Sequence, residues 1–398
     1  MDTRIRNKNK YSSQKQIEML KDAINKDIPF SEYLKDNNKN YDDLVYKNYK
    51  EEKYTKSKYY VLDDFKQKNN DIPVTSFFSG AGGLDLGFEA AGFSHLALFE
   101  INELFCKTLK HNHENWNIHC SDISESESVI KILKQKIDCR KNFDGVFIGG
   151  PPCQPFSIAS NQRFSKDSKN FKRIGFSHEK YGNLLFDYIK LINYFKPEVF
   201  IIENVVGLID VDGGEQLSKA YKMLEDNGYY IEQPLIFNAD AYFVPQQRVR
   251  LIIVGNRKGK KFISPDQSNQ KSNVGGVFDL SIKNVKNHVT RAHNAKSILR
   301  YMILDYGQRD KLGRVDRLNP SLPSKTVIAG GLSGGGRSHL HPYIPRTLSV
   351  RESARIQTFP DSYEFLGPVA RQFTQVGNAV PPILAAQIGT AIYKSFFK

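Results

Sequence analysis

Pro73-Val74-Thr75-Ser76-Phe77-Phe78-Ser79-Gly80-Ala81-Gly82-Gly83-Leu84-Asp85-Leu86-Gly87 passes from a β-branched and aromatic run into a glycine cluster and then into a helical stretch. Val74 to Phe78 reads as a strand. The glycines after it let the backbone pass close to a ligand, and the helix that follows offers its free N–H groups to a polar end of that ligand. A dinucleotide site would want G-x-G-x-x-G, but Asp85 stands where the third glycine belongs, so such a site is disfavoured.

Outward from this unit the same texture repeats. Leu96 to Phe99, Gly145 to Ile148, Val199 to Ile202 and Leu251 to Val254 are short apolar runs of strand length. Stretches between them, such as Asn183 to Tyr194, carry helical spacing. Strand alternating with helix predicts an α/β fold, a doubly wound and mostly parallel sheet covered on both faces. After Gly255 the alternation stops, and a polar segment broken by turns at Gly275-Gly276, Asn319-Pro320 and the glycines from Gly330 to Gly336 reads as a separate, smaller lobe. The expected organisation is an accessory extension (1–72), a catalytic and cofactor-binding domain (73–255), a small basic domain (256–374) and a C-terminal return (375–398). Helical patterning in the extension is weak, around Gln16 to Ile24 and Tyr33 to Leu44.

The 398 residues are 40% hydrophobic and 25% charged, an ordinary globular balance. With no apolar run of membrane-spanning length and a polar start, the chain is expected in the cytoplasm. The four cysteines, Cys106, Cys120, Cys139 and Cys153, form no C-x-x-C pair, so neither zinc nor a disulfide framework is expected. The net charge of +14 favours a polyanionic partner. Its distribution is informative: residues 257–325 hold 15 Lys and Arg against 5 Asp and Glu, whereas residues 1–72 hold 16 against 13.

Several strand ends carry chemistry. Glu100 closes the second run, where a carboxylate can accept from a ribose diol, and Asp122 follows where a third strand could end near an adenine. Gly149-Gly150-Pro151-Pro152-Cys153-Gln154-Pro155-Phe156-Ser157 places Cys153 at a strand's carboxyl end between prolines, the position of a candidate nucleophile. Lone cysteines are usually small buried hydrophobes, which is the expectation for the other three. Glu203 ends the run before Asn204-Val205. Arg248 and Arg250, in Gln246-Gln247-Arg248-Val249-Arg250-Leu251, would project from one face of a strand and suit an anionic or carbonyl-bearing substrate.

Gly80-x-Gly82-Gly83, Pro152-Cys153-Gln154, Glu203-Asn204-Val205, Gln247-Arg248-x-Arg250, Arg351-Glu352-x-x-Arg355 and Gln375-Val376-Gly377-Asn378-Ala379-Val380 together resemble the ordered motifs of DNA (cytosine-5) methyltransferases of the bacterial type II restriction-modification type. The resemblance covers residues 73–398. It implies a Rossmann-like domain that binds S-adenosyl-L-methionine through Phe78, Gly80, Gly82, Gly83, Glu100, Ile101, Asp122, Pro152, Asn378 and Val380. It implies catalysis by Cys153, Glu203, Arg248 and Arg250, with Cys153 adding to carbon 6 of a flipped cytosine. Gln154, Ser157, Arg163, Lys172, Arg173, Gln247, Thr326, Gly330 and Gly331 would contact substrate or double-stranded DNA. Arg163, Lys172 and Arg173 lie in a stretch like the family's mobile loop, and Thr326-Val327 resembles the pair that opens its recognition loop. The small basic domain would be the target-recognition domain. A monomer is expected, accompanied by a restriction endonuclease that acts on the same sequence without binding the enzyme, and no metal. A tRNA cytosine-5 methyltransferase and a catalytically silent DNA-binding module are the alternatives; the long basic lobe disfavours the first and the intact Cys153, Glu203 and Arg248 the second.

Overall fold

The computed structural model of the chain describes residues 12–47, 57–138, 140–152, 184–329 and 339–398. These fall into two compact units, each assembled from separate stretches of sequence. The larger comprises Leu62–Tyr242, Arg248–Gln267 and Ala379–Lys398, and the smaller Met1–Val61, Phe243–Gln247 and Ser268–Asn378.

The larger unit is built on one sheet of β1 (Pro73–Phe77), β2 (Ser94–Glu100), β3 (Ile118–Cys120), β4 (Val146–Gly149), β5 (Val199–Asn204), β6 (Tyr230–Ile231), β7 (Leu235–Asn238) and β8 (Val249–Asn256). Its order is β3-β2-β1-β4-β5-β8-β6, with β7 also on β8. The first five strands pair in parallel, and β8 runs antiparallel to β5, β6 and β7. The sheet is therefore doubly wound and mostly parallel, and its central strands are apolar because helices cover both faces. Val146, Phe147, Ile148, Phe200 and Ile201 are all fully buried. The predicted runs match β1, β2, β4, β5 and β8 to within two residues or so, while the two- to four-residue strands β3, β6 and β7 carry no apolar run long enough to read. The predicted helix Asn183 to Tyr194 is found at Leu184–Phe195.

Helix Gly83–Ala90 packs on the last helix, Pro382–Phe396, at backbone contact. A Cβ at Gly87 would lie 2.2 Å from the Ala385 Cβ and 2.6 Å from the Ala386 nitrogen. This contact explains why Ala379–Lys398 belongs to the larger unit, and the turn Leu62–Phe65 packs on the same two helices.

The smaller unit carries β9 (Arg309–Asp310), β10 (Val315–Arg317) and β11 (His339–Leu340) in the order β11-β10-β9. The N-terminal helices Ser13–Asn25 and Phe30–Asp36 and the chain just after them share a core cluster of this unit: Leu20, Phe30, Leu34 and Leu44 pack with Ile298, Met302, Val315 and Leu340. The second helical pattern, expected over Tyr33 to Leu44, is divided in two, the chain ending one helix at Asp36 and making a separate 3₁₀ turn at Tyr41–Asp43. That turn brings Asp42 to a buried ion cluster. Arg346 Nε meets Asp42 at 2.6 Å, its Nη1 and Nη2 meet both Glu352 oxygens at 2.8 Å, and His288 Nε2 lies 3.1 Å from Asp42. Burial opposes ionisation of Asp42, but the His288 hydrogen bond and the Arg346 charge outweigh it and hold the carboxyl below its usual range.

Gly87→Ala should force the two helix backbones of the larger unit apart and lower stability by about 1–3 kcal/mol, as overpacking does. Urea unfolding of the wild type and variant measures this, and an unchanged midpoint would show that the contact is not tight.

Candidate active site

Phe77 lies level with Gly149 where β1 pairs with β4. On one side of that pair the sheet continues to β2 and β3, and on the other to β5. At such a reversal of strand order the loops leaving the carboxyl ends part and leave a crevice. The glycine loop from Phe78 and the loop Gly150-Pro151-Pro152 both rise from this edge.

The glycine loop takes three left-handed residues within five, Phe78 (φ 58°), Gly80 (φ 57°) and Gly82 (φ 76°). For Phe78 this costs about 1–3 kcal/mol, so the surroundings must enforce it. They do so through backbone bonds: Ser79 N–H donates to the Phe99 carbonyl at 3.2 Å, and Gly80 N–H to Glu100 Oε2 at 2.8 Å. Glu100 Oε1 accepts from Asn102 N–H at 2.8 Å. Burial raises the Glu100 carboxyl above its usual value, against the N–H groups of Asn102, Gly80 and Ile101, which favour ionisation.

This region fits S-adenosylmethionine on three observations. A Cβ at Gly80 would meet nothing nearer than the Phe78 oxygen at 4.0 Å, so the space above the loop is open. Glu100 accepts from backbone N–H groups through both oxygens and, with about four lone-pair sites, retains acceptor capacity for a hydroxyl. Ile101, the next residue, is 55% exposed and presents an apolar face for a base. Gly83 abuts the Val380 carbonyl, and Asp122 Oδ1 accepts from the Ser124 N–H and hydroxyl in a local turn. Cys106 donates its thiol to the Glu100 carbonyl, a structural use.

Across the crevice, β5 ends at Glu203-Asn204. The antiparallel β8 begins beside it, with Glu203 opposite Ile252 and Asn204 opposite Leu251. Arg250 Nε therefore reaches Glu203 Oε1 at 2.8 Å. Asn204 Nδ2 donates to the Pro151 carbonyl at 3.3 Å, and a Cβ at Gly150 would lie 2.9 Å from Glu203 Oε2. The larger unit thus gathers Glu203, Arg250 and the Pro151-Pro152 approach to Cys153. Arg248 just precedes β8 and is 1% exposed. Cys153, Gln154, Ser157, Arg163, Lys172, Arg173, Gly330 and Gly331 lie outside the described residues.

The smaller unit brings Thr326 to Gln247, whose carbonyl accepts from the Thr326 hydroxyl at 2.8 Å. Asn378 is exposed at the end of helix Val369–Asn378. Three residues were given no site role from sequence: Asn204, which ties β5 to Pro151, Gln246, and Asp85. Gln246 is buried and Gln247 exposed, a parity that strand alternation with Arg248 could have suggested. Asp85 is fully buried in the helix Gly83–Ala90, with Ser76 the side chain that favours its ionised form and no charged partner among the described residues to offset its burial. Burial pushes its carboxyl up to about 7, although Ser76 pulls the other way.

Among the described residues no helix is long and apolar enough to cross a membrane, and no group of His, Cys, Asp and Glu could hold a metal. The sheet order, the glycine loop and the acid closing β2 define an S-adenosylmethionine-dependent methyltransferase. Residues 72–394 match the C-5 cytosine-specific DNA methylase family, and the chain belongs to it. It is thus a DNA (cytosine-5) methyltransferase. It is 34% identical to the type II methyltransferase M.PspPI of Psychrobacter sp. (strain TA137), over 82% of this chain and 80% of that one. It is 31% identical to M.Eco47II of Escherichia coli, over 83% and 81%. An Escherichia coli prophage protein described as a DNA modification methyltransferase shares the fold with a TM-score of 0.67 at 23% identity, covering 82% of this chain and all of the other.

Asp85 makes a pH-dependent contribution whose sign is fixed. Between its unfolded value of 3.8 and about 7, the unfolded chain loses this proton while the folded chain keeps it, so stability falls with rising pH across that window and levels off above it. Asp85→Asn should remove this loss and gain a few kcal/mol over the wild type at about pH 8, and nothing at about pH 4. Urea titrations at the two pH values measure the difference, and a pH-independent difference would contradict it.

Proposed function

We propose that this enzyme methylates carbon 5 of one cytosine within a specific short sequence of double-stranded DNA, after turning that nucleotide out of the helix. The observation that carries the reading is the convergence at the carboxyl edge of the sheet: Glu203, held through Oε1 by Arg250, with Oε2 facing Gly150 at the start of the loop that leads to Cys153.

Carbon 5 of cytosine is a poor nucleophile because the ring is aromatic and electron-poor. The Cys153 thiolate adds to carbon 6, and the electron pair released into the ring makes carbon 5 an enamine carbon. Glu203 holds the N3 and exocyclic N4 edge and favours the protonated ring that accepts this addition. Arg250 fixes the Glu203 carboxylate, and Arg248 binds the carbonyl at position 2. S-adenosylmethionine supplies an electrophilic methyl group on its sulfonium. Loss of the proton on carbon 5 then expels Cys153 and restores aromaticity.

Phe78, Gly80, Gly82, Gly83, Glu100, Ile101, Asp122, Pro152, Asn378 and Val380 would hold the cofactor. The smaller, basic unit would recognise the target, its Lys and Arg supplying phosphate affinity and a few side chains reading base edges. Two relatives are named type II methyltransferases, which supports a protective role opposite a restriction endonuclease that cuts the same sequence. The enzyme works as a cytoplasmic monomer.

Tritiated S-adenosylmethionine with random-sequence duplex should yield 5-methylcytosine in one short recurring context; label in tRNA instead would overturn the DNA assignment. Cys153→Ala should abolish transfer and leave DNA binding measurable, since affinity resides in the basic unit. Glu203→Gln should slow turnover by roughly 100-fold or more. Wild-type rates in either variant remove that residue from the chemistry.

A further inference from the structure

Gln246 and Gln357 are both fully buried in the smaller unit and bonded end to end. Val327 N–H donates to Gln246 Oε1, Gln246 Nε2 donates to Gln357 Oε1, and Gln357 Nε2 donates to the Val376 carbonyl, each at 2.7 Å. A backbone N–H can only donate and a carbonyl can only accept, so the two termini fix the orientation of both amides. Glutamine is the side chain of this length that accepts at one atom and donates at the next. An ionised glutamate at either position would set two acceptors against each other.

The relay lies between three segments. Gln247 N–H donates to the Ser324 carbonyl at 2.8 Å, Ser324 N–H to the Pro245 carbonyl at 3.0 Å, and the Thr326 hydroxyl to the Gln247 carbonyl at 2.8 Å. On its other side the segment Thr326–Ala329 rests on helix Val369–Asn378, where a Cβ at Gly377 would lie 2.2 Å from the Ala329 nitrogen. Thr326–Ala329 leads in sequence directly into Gly330 and Gly331. Its path is thus set from both sides, by a buried amide chain and by a backbone contact that tolerates no side chain.

We propose that Gln246 and Gln357 are positioning residues for target recognition: their amide relay sets the Thr326–Ala329 segment for contact with DNA. The proposal rests on reading the smaller unit as the target-recognising one. Neither glutamine touches substrate, so their loss acts on DNA affinity and sequence discrimination, with cofactor affinity and kcat retained.

The test compares the full-length wild type with Gln246→Ala, Gln357→Ala and the double variant. Amide hydrogen exchange over residues 324–329 reads the positioning itself and does not depend on activity. Calorimetric S-adenosylmethionine binding reads the integrity of the larger unit, and methylation of the target duplex and of single-base variants reads recognition. Expected are lost protection over 324–329, unchanged cofactor affinity, KM for DNA raised tenfold or more with kcat within threefold, and reduced discrimination. The double variant should be no worse than either single one, because both break one chain. Wild-type protection in the single variants, or lost protection with unchanged KM and discrimination, would overturn the proposal. Should Gln246→Ala fail to fold, Gln357→Glu keeps the volume, replaces the donor by an acceptor and carries the same readouts. A wild type that methylates no DNA would sink the functional reading, whereas an active wild type with indifferent variants would sink the relay alone.

Discussion

Phe77 pairs level with Gly149, and beyond that level the two chains must part, because the sheet continues from β1 to β2 and from β4 to β5 on opposite sides. The glycine loop, with its left-handed residues, is pinned to β2 by Phe99 and Glu100. The proline loop is pinned to β5 by Asn204. Because β8 enters antiparallel beside β5, its first residues arrive at the same edge and Arg250 meets Glu203 there. A parallel strand in that place would bring its last residues to this edge and carry Arg250 to the far one.

Two aspartates, Asp85 fully buried and Asp42 partly so, show how local pairing decides the state of the same side chain. Asp85 is fully buried in the helix Gly83–Ala90, and desolvation outweighs the pull of Ser76 and pushes its carboxyl up to about 7. Asp42 is also desolvated, but His288 and Arg346 hold it ionised. The pairing of Asp42 with Arg346 joins the N-terminal segment to the rest of the smaller unit by charge, as Leu20, Phe30 and Leu34 join it by apolar contact. Truncating one partner of such a cluster would leave a buried charge uncompensated. The N-terminal helices are thereby part of the unit's core.

Cofactor loop and recognition segment are held by different means. Around Gly80 the holding bonds come from the backbone and one carboxylate. Around Thr326 they come from two neutral amides, which carry no charge to desolvate and so sit in a core at lower cost than an ion pair.

Strand and helix alternation, the glycine loop and the ordered motifs were legible in the sequence because they are local: apolar runs such as Val199 to Ile202 must be buried strands, and Gly80 and Gly82 sit where L side chains would strain. The basic excess of residues 257–325 was equally plain. Which residues share a unit was not, because Leu20 with Ile298, Gly87 with Ala385 and Gln246 with Gln357 are contacts across roughly a hundred to three hundred residues, set by shape and by matched donors and acceptors. The sequence by itself determined the sheet, the loop at its switch point and the set of chemical groups. Only the tertiary structure decided that Arg250 meets Glu203, that Asp85 is fully buried, and that the N-terminal helices join the smaller core, since each depends on which surfaces the folded chain removes from water together.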